Sequence, residues 1–87
     1  MELDKLELPA VAKEKGIQVI IREIHKVDVP WDKHYIVACQ IKEGDWTSHI
    51  FHLYPHNAQE FKEMIKKEIA NYLKSKALLG EEVIRKV

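Results

Sequence analysis

The stretch from Pro55 to Leu79 most constrains what this chain can fold into. Phe61, Ile65, Ile69, Tyr72 and Leu73 recur at spacings of four and three, the apolar stripe of an amphipathic helix. Pro55 cannot sit inside a helix, because it lacks an amide donor and its ring clashes one turn back. Asn57 can accept from the first-turn amides, and Glu60 three residues on completes a capping-box pattern. Glu63 precedes Lys67 by one turn, the favourable direction for a helical ion pair. Gly80 stands where a left-handed residue closes a helix, with lysines in the turns before it. The pattern predicts one helix over Ala58–Leu79, whose single apolar stripe must be buried by whatever the rest of the chain builds.

The rest reads as strands. YIVACQIK (Tyr35 to Lys42) and TSHIFHLY (Thr47 to Tyr54) are rich in β-branched and aromatic residues. They flank EGDW, in which Gly44 supplies the positive φ of a tight hairpin and Asp45 is a turn residue. GIQVIIREIHKV (Gly16 to Val27) fits two periods. Ile17, Ile20, Ile21, Ile24 and Val27 make a helical stripe, while Ile17, Val19 and Ile21 alternate as a strand does. Its β-branched content decides for a strand, with a bulge near Glu23 resetting the alternation. In DVPWD, Pro30 keeps Val29 extended and Trp31 is expected to pack on the sheet edge. PAVAKEKG (Pro9 to Gly16) has proline where a first helical turn tolerates it and glycine where a helix stops, so a short N-terminal helix is expected.

These elements predict one α+β domain over residues 1–87. Residues 1–15 form an N-terminal segment or short helix, 16–54 a three-stranded antiparallel meander, 58–79 the long helix and 80–87 a tail. The α-β-β-β-α order is similar to that of double-stranded-RNA-binding domains in element order alone. Their phosphate-gripping lysines open the last helix, where this chain has Asn57-Ala58-Gln59-Glu60.

Such a sheet, covered on one side, should show water a polar second face. Here the helix-side set is Ile17, Val19, Ile21, Tyr35, Val37, Cys39, Ile41, Phe51 and Leu53. The other set is Ile20, Arg22, Ile24, Ile36, Ala38, Gln40, Ile50, His52 and Tyr54, of which five are large and apolar. Leaving Ile20, Ile24, Ile36 and Ile50 wet would forgo roughly 1.5–3 kcal/mol each. Three covers are open: residues 1–15 with Leu3, Leu6, Leu8 and Val11, the tail with Val83 and Ile84, or a second subunit or partner.

The chemical signals are thin. His49, His52 and His56 fall within eight residues and invite a metal site. On a strand, however, His49 and His52 point to opposite faces, and His56 lies beyond the strand end. No metal or cofactor is expected. His49 is expected nearer the helix, and His25 and His34 in solvent at loop ends. His52 with Gln40 and Tyr54 reads as a half-buried polar cluster. Cys39, the single cysteine, reads as a small core hydrophobe; alone it excludes an internal disulfide framework or a cysteine-rich zinc module. No glycine-rich phosphate loop, helical metal motif or nucleophile elbow occurs, and no catalytic residue is assigned.

Fourteen basic and fourteen acidic residues cancel, so there is no general attraction to phosphate or anionic lipid. The acidic start MELDKLELP is not a secretory signal, and a lone cysteine suits a reducing compartment, so a cytoplasmic location is expected. Abundant Lys, Glu and Ile with scarce Asn and Gln fit a thermophilic source or an AT-rich genome equally. The leading expectation is a non-enzymatic interaction protein working through its apolar second face, by self-association or with a protein partner. The alternative is a nucleic-acid-binding module using sheet aromatics and the helix cations Lys62, Lys66, Lys67 and Lys74. A small enzyme without a recognisable motif stands behind both.

Overall fold

A computed structural model describes residues 3–79 and is α+β, an antiparallel sheet with one long helix across it. After a 3-10 turn at Leu3–Lys5 come β1 (Ala10–Glu14), β2 (Ile17–Val29), β3 (Asp32–Glu43), β4 (Trp46–Thr47), β5 (Phe51–Leu53) and α1 (Ala58–Leu79). The sheet is a meander in the order β1-β2-β3-β4, with β5 also paired to β3, so β4 and β5 are two pieces of one interrupted edge strand.

Two expectations about the N-terminal half are corrected. The sheet has more than three strands, and Ala10–Glu14 is strand rather than helix. Its burial alternates, with Ala10 and Ala12 on the core side and Val11 and Lys13 turned away. Lys15 (φ 52°) and Gly16 (φ 79°) form a two-residue loop closed by the Glu14–Ile17 pair. Positive φ at both positions is the twist a tight hairpin requires. Gly16 therefore makes a hairpin turn, not a helix stop. With β1 in the sheet, the element-order likeness to double-stranded-RNA-binding domains no longer holds.

The helix forms where its sequence signals put it. Asn57 Oδ1 accepts the Glu60 amide at 2.8 Å, the Glu60 carboxylate accepts the His56 amide at 3.2 Å, and the Phe61 amide reaches the Asn57 carbonyl at 3.0 Å. Phe61, Ile65, Ile69 and Tyr72 are buried against Ile17, Val19, Ile21, Tyr35, Val37, Cys39, Ile41 and Leu53. Every residue of the expected helix-side set is in this cluster or, like Phe51, packed on it. At its far end, Tyr72 stacks on Trp46 (5.4 Å, 14°) and shares the Glu43 carboxylate with Lys76, at 2.7 and 2.6 Å. Those two donors, Lys76 first, hold the Glu43 carboxyl below its ordinary value.

Two register shifts keep the core face continuous. The β2–β3 pairing passes from Ile21–Cys39 to Glu23–Ala38, so Arg22 is the extra residue of a bulge. The edge strand slips at residues 48–50. Ser48 still pairs with Ile41, its amide on the Ile41 carbonyl at 2.8 Å and its Oγ accepting the Ile41 amide at 2.9 Å, and Phe51 then pairs with Cys39. Without that slip, the two-residue Gly44-Asp45 loop would turn Phe51 and Leu53 outward.

Candidate interaction surface

The helix covers one side of the sheet, and cross-strand register defines the other. Its apolar residues are Ile20, Ala38 and Ile36, paired with Gln40, Glu23 and His25, with Val11 opposite Ile20 on β1 and Val27 farther along β2. Beyond the last assigned pair, Leu53–Val37, the chain stays beside β3, because the Tyr35 amide reaches the Pro55 carbonyl at 2.9 Å. Continuing that register sets Tyr54 beside Ile36 and His56 beside His34. Val11 is 53% exposed and Tyr54 54%. Around these lie Lys13, Gln18, Lys42 and Thr47 at one end, and His25, His34 and Asp32 at the other. Arg22 Nε donates to Gln40 Oε1 at 2.7 Å, and the Gln40 amide to the Ser48 carbonyl at 2.9 Å, so Gln40 ties β2 to the edge strand.

Of the residues expected on this face, Ile20, Ile36, Gln40, His52 and Tyr54 are there by register, His52 opposite Ala38. Arg22 occupies the bulge. Ile24 is corrected: the bulge puts it opposite Val37, and it packs against the covered core. Ile50 is 50% exposed in the irregular segment between β4 and β5. The N-terminal segment does not cover the open face. Leu3 is buried in the helix-side core and Leu6 packs on that core, while Leu8 is 40% exposed. Val83, Ile84, the expected tail and Gly80 lie outside the described residues.

The histidines fall differently from expectation. His49 is exposed in the irregular segment rather than turned toward the helix. His25, exposed, meets the Glu23 carboxylate at 3.2 Å. His34 is half-buried, not solvated, and its Nδ1 meets Asp32 at 2.8 Å. His56 stands between two acids, Nδ1 at 2.9 Å from Glu60 and Nε2 at 3.4 Å from Asp32, with its ring 6.3 Å from that of His34. Glu60, then Asp32, raises the His56 pKa above the ordinary histidine value, and His56 in turn lowers that of Glu60. Among the described residues, no group of three or more His, Cys, Asp or Glu is placed to hold a metal. Cys39 is fully buried, and desolvation, with the charge of Glu68 behind it, pushes its thiol up to about 12.

The helix cations Lys62, Lys66, Lys67 and Lys74 are all exposed, on the side of α1 away from the sheet. Tyr35, Phe51 and Trp46 face the core, which leaves Tyr54 as the aromatic of the open face. Tyr54 and the helix lysines thus lie on opposite sides of the molecule. Trp31 is also corrected. It does not pack on the sheet edge but stands 84% exposed at the tip of the β2–β3 hairpin, because the two-residue Pro30-Trp31 loop leaves no chain to fold it back. Val11, expected as part of a cover for this face, is instead a strand residue within it, and Lys13 escaped the sequence reading, since only the β1–β2 pairing puts them there.

No family model, curated protein or solved structure matches the chain. Among the described residues, no helix is long and apolar enough to cross a membrane.

Proposed function

We propose that this chain is a small interaction protein that works through the open face of its sheet, and that the occupant of that face is a second copy of itself. The observation behind it is the mixed make-up of the face: Ile20, Ala38, Ile36 and Val27 lie opposite Gln40, Glu23, His25 and His34 in turn, and Val11 and Tyr54 keep half of their surface in water.

Size and charge both favour a second copy. The face is about 15 Å wide where four strands lie abreast at about 4.8 Å spacing, beside the five residues of β1, and narrower along the hairpin. A length of about 33 Å along β3 therefore bounds it at roughly 500 Å² in projection. Side-chain relief raises that toward the roughly 800 Å² per partner of a standard interface. Among the described residues, three cations stand on the face, Lys13, Arg22 and Lys42, and three acids on or beside it, Glu23, Asp32 and Glu60. The charges cancel. A neutral face suits an identical face across a two-fold axis, the commonest closed assembly, and gives a phosphate backbone nothing to hold.

Light scattering of the purified protein should give the mass of a dimer at tens of micromolar. Tyr54→Glu, a change at a residue more than half exposed in the single chain, should give a folded monomer with an unaltered circular dichroism spectrum. A wild-type monomer at that concentration would overturn the reading.

A further inference from the structure

Four of the chain's five histidines stand on or at the open face: His25 opposite Ile36, His52 opposite Ala38, His34 opposite Val27, and His56 beside His34. They come from three separate parts of the chain, and only cross-strand register brings them together. We infer that these histidines make the pairing of two copies proton-sensitive, so that acid separates the dimer into folded monomers; the inference rests on the self-association proposed above.

The argument is one of charge and desolvation. Histidine is the side chain that gains its charge between pH 8 and 5. With neutral rings, the three cations and three acids of the face cancel. With all four rings protonated, each copy carries four more positive charges than acids, and a two-fold axis sets that excess against an identical one. Like charges brought together in a water-poor contact are costly, and any left without a counter-charge there cost more.

The free chain meets less of this cost, its closest pair of rings, His34 and His56, being 6.3 Å apart with Asp32 shared between them. His25, His52 and His56 are exposed to water and His34 partly so, and three have acids beside them: His25 meets Glu23 at 3.2 Å, His34 meets Asp32 at 2.8 Å, and His56 lies between Asp32 and Glu60. Protonation strengthens those contacts within one copy. The remaining charged groups at the hairpin end, Lys26, Asp28 and Lys33, alternate to the helix side of the strands, where Lys33 and Asp28 pair at 4.0 Å. Acid therefore penalises the paired state more than the separate one.

Sedimentation velocity at pH 7.5 and pH 5.5, at matched ionic strength and with circular dichroism alongside, tests this. A dimer is expected at pH 7.5, with a dissociation constant about tenfold higher or more at pH 5.5 while the fold persists. The double variant His25→Gln/His52→Gln leaves the Asp32–His34–His56–Glu60 cluster intact. Having lost half of the added charge on each copy, it should keep between the fourth root and the square root of the wild-type shift, about two- to threefold for a tenfold effect. A wild-type dissociation constant equal at both pH values would overturn the inference and leave the dimer standing. So would unfolding at pH 5.5 in place of separation. A shift undiminished in the double variant would remove His25 and His52 from the role. A monomer at both pH values would overturn the dimer itself, and this inference with it.

Discussion

The two faces of the sheet share their backbone and differ in almost everything else. On the covered side, Ile17, Val19, Val37, Cys39 and Ile69 are within 1% of full burial. On the open side, Val11 and Tyr54 keep half of their surface and four histidines stand among the aliphatics. Both are rich in isoleucine and valine, so apolar content alone does not separate core from surface. Position relative to the helix stripe does, and β2 contributes isoleucine to both sides at once.

The largest expected effect sharpens this contrast. Ile69→Ala, at the centre of the covered side, should lower stability by about 3–4 kcal/mol in urea unfolding, with cavity and transfer losses added together. Ile36→Ala, on the open side, should cost about 1–2 kcal/mol in the dilute monomer, because part of its side chain is still in water and no closed cavity is left behind. Equal losses at the two positions would break the comparison. Next in size is Ser48→Ala. It deprives the Ile41 amide of its acceptor at the slip in the edge strand, and should cost about 1–2 kcal/mol by the same measurement. Proton exchange should quicken at Ile41 in particular; no change there would show that another group accepts the amide. The smallest effect is a gain. Lys15 holds a left-handed conformation that asparagine adopts more easily, so Lys15→Asn should raise stability by about 0.5–1 kcal/mol. A loss would mean that the lysine side chain contributes something its backbone strain conceals.

What could be read in advance divides along the same line. The helix bounds and the nine residues expected on the covered face were legible, because Pro55, Asn57 and Glu60 act within a few residues and alternation holds along each strand. β1 was not. Its alanines and lysines suit a helix as well as a strand, Pro9 and Gly16 imitate helix punctuation, and its state is decided by pairing with Ile17–Ile21 along β2. Ile24 was misassigned although a bulge near Glu23 was expected, because only the pairing with β3 shows that Arg22 is the extra residue. The histidines show the opposite error of locality. The cluster visible in the chain, from His49 to His56, is split by strand geometry. The one on the open face joins residues from β2, β3 and the edge strand, and no spacing along the chain announces it.

The hairpin tip has a consequence of its own. Trp31 projects into water, while Trp46 lies flat against Tyr72 near the far end of the helix. The excited indole of Trp31 relaxes among mobile dipoles and emits to the red. That of Trp46 is held against a ring and emits to the blue. The unaltered protein thus carries two optical reporters, one at the exposed tip and one at the helix–sheet seam, and soluble quenchers reach the first before the second.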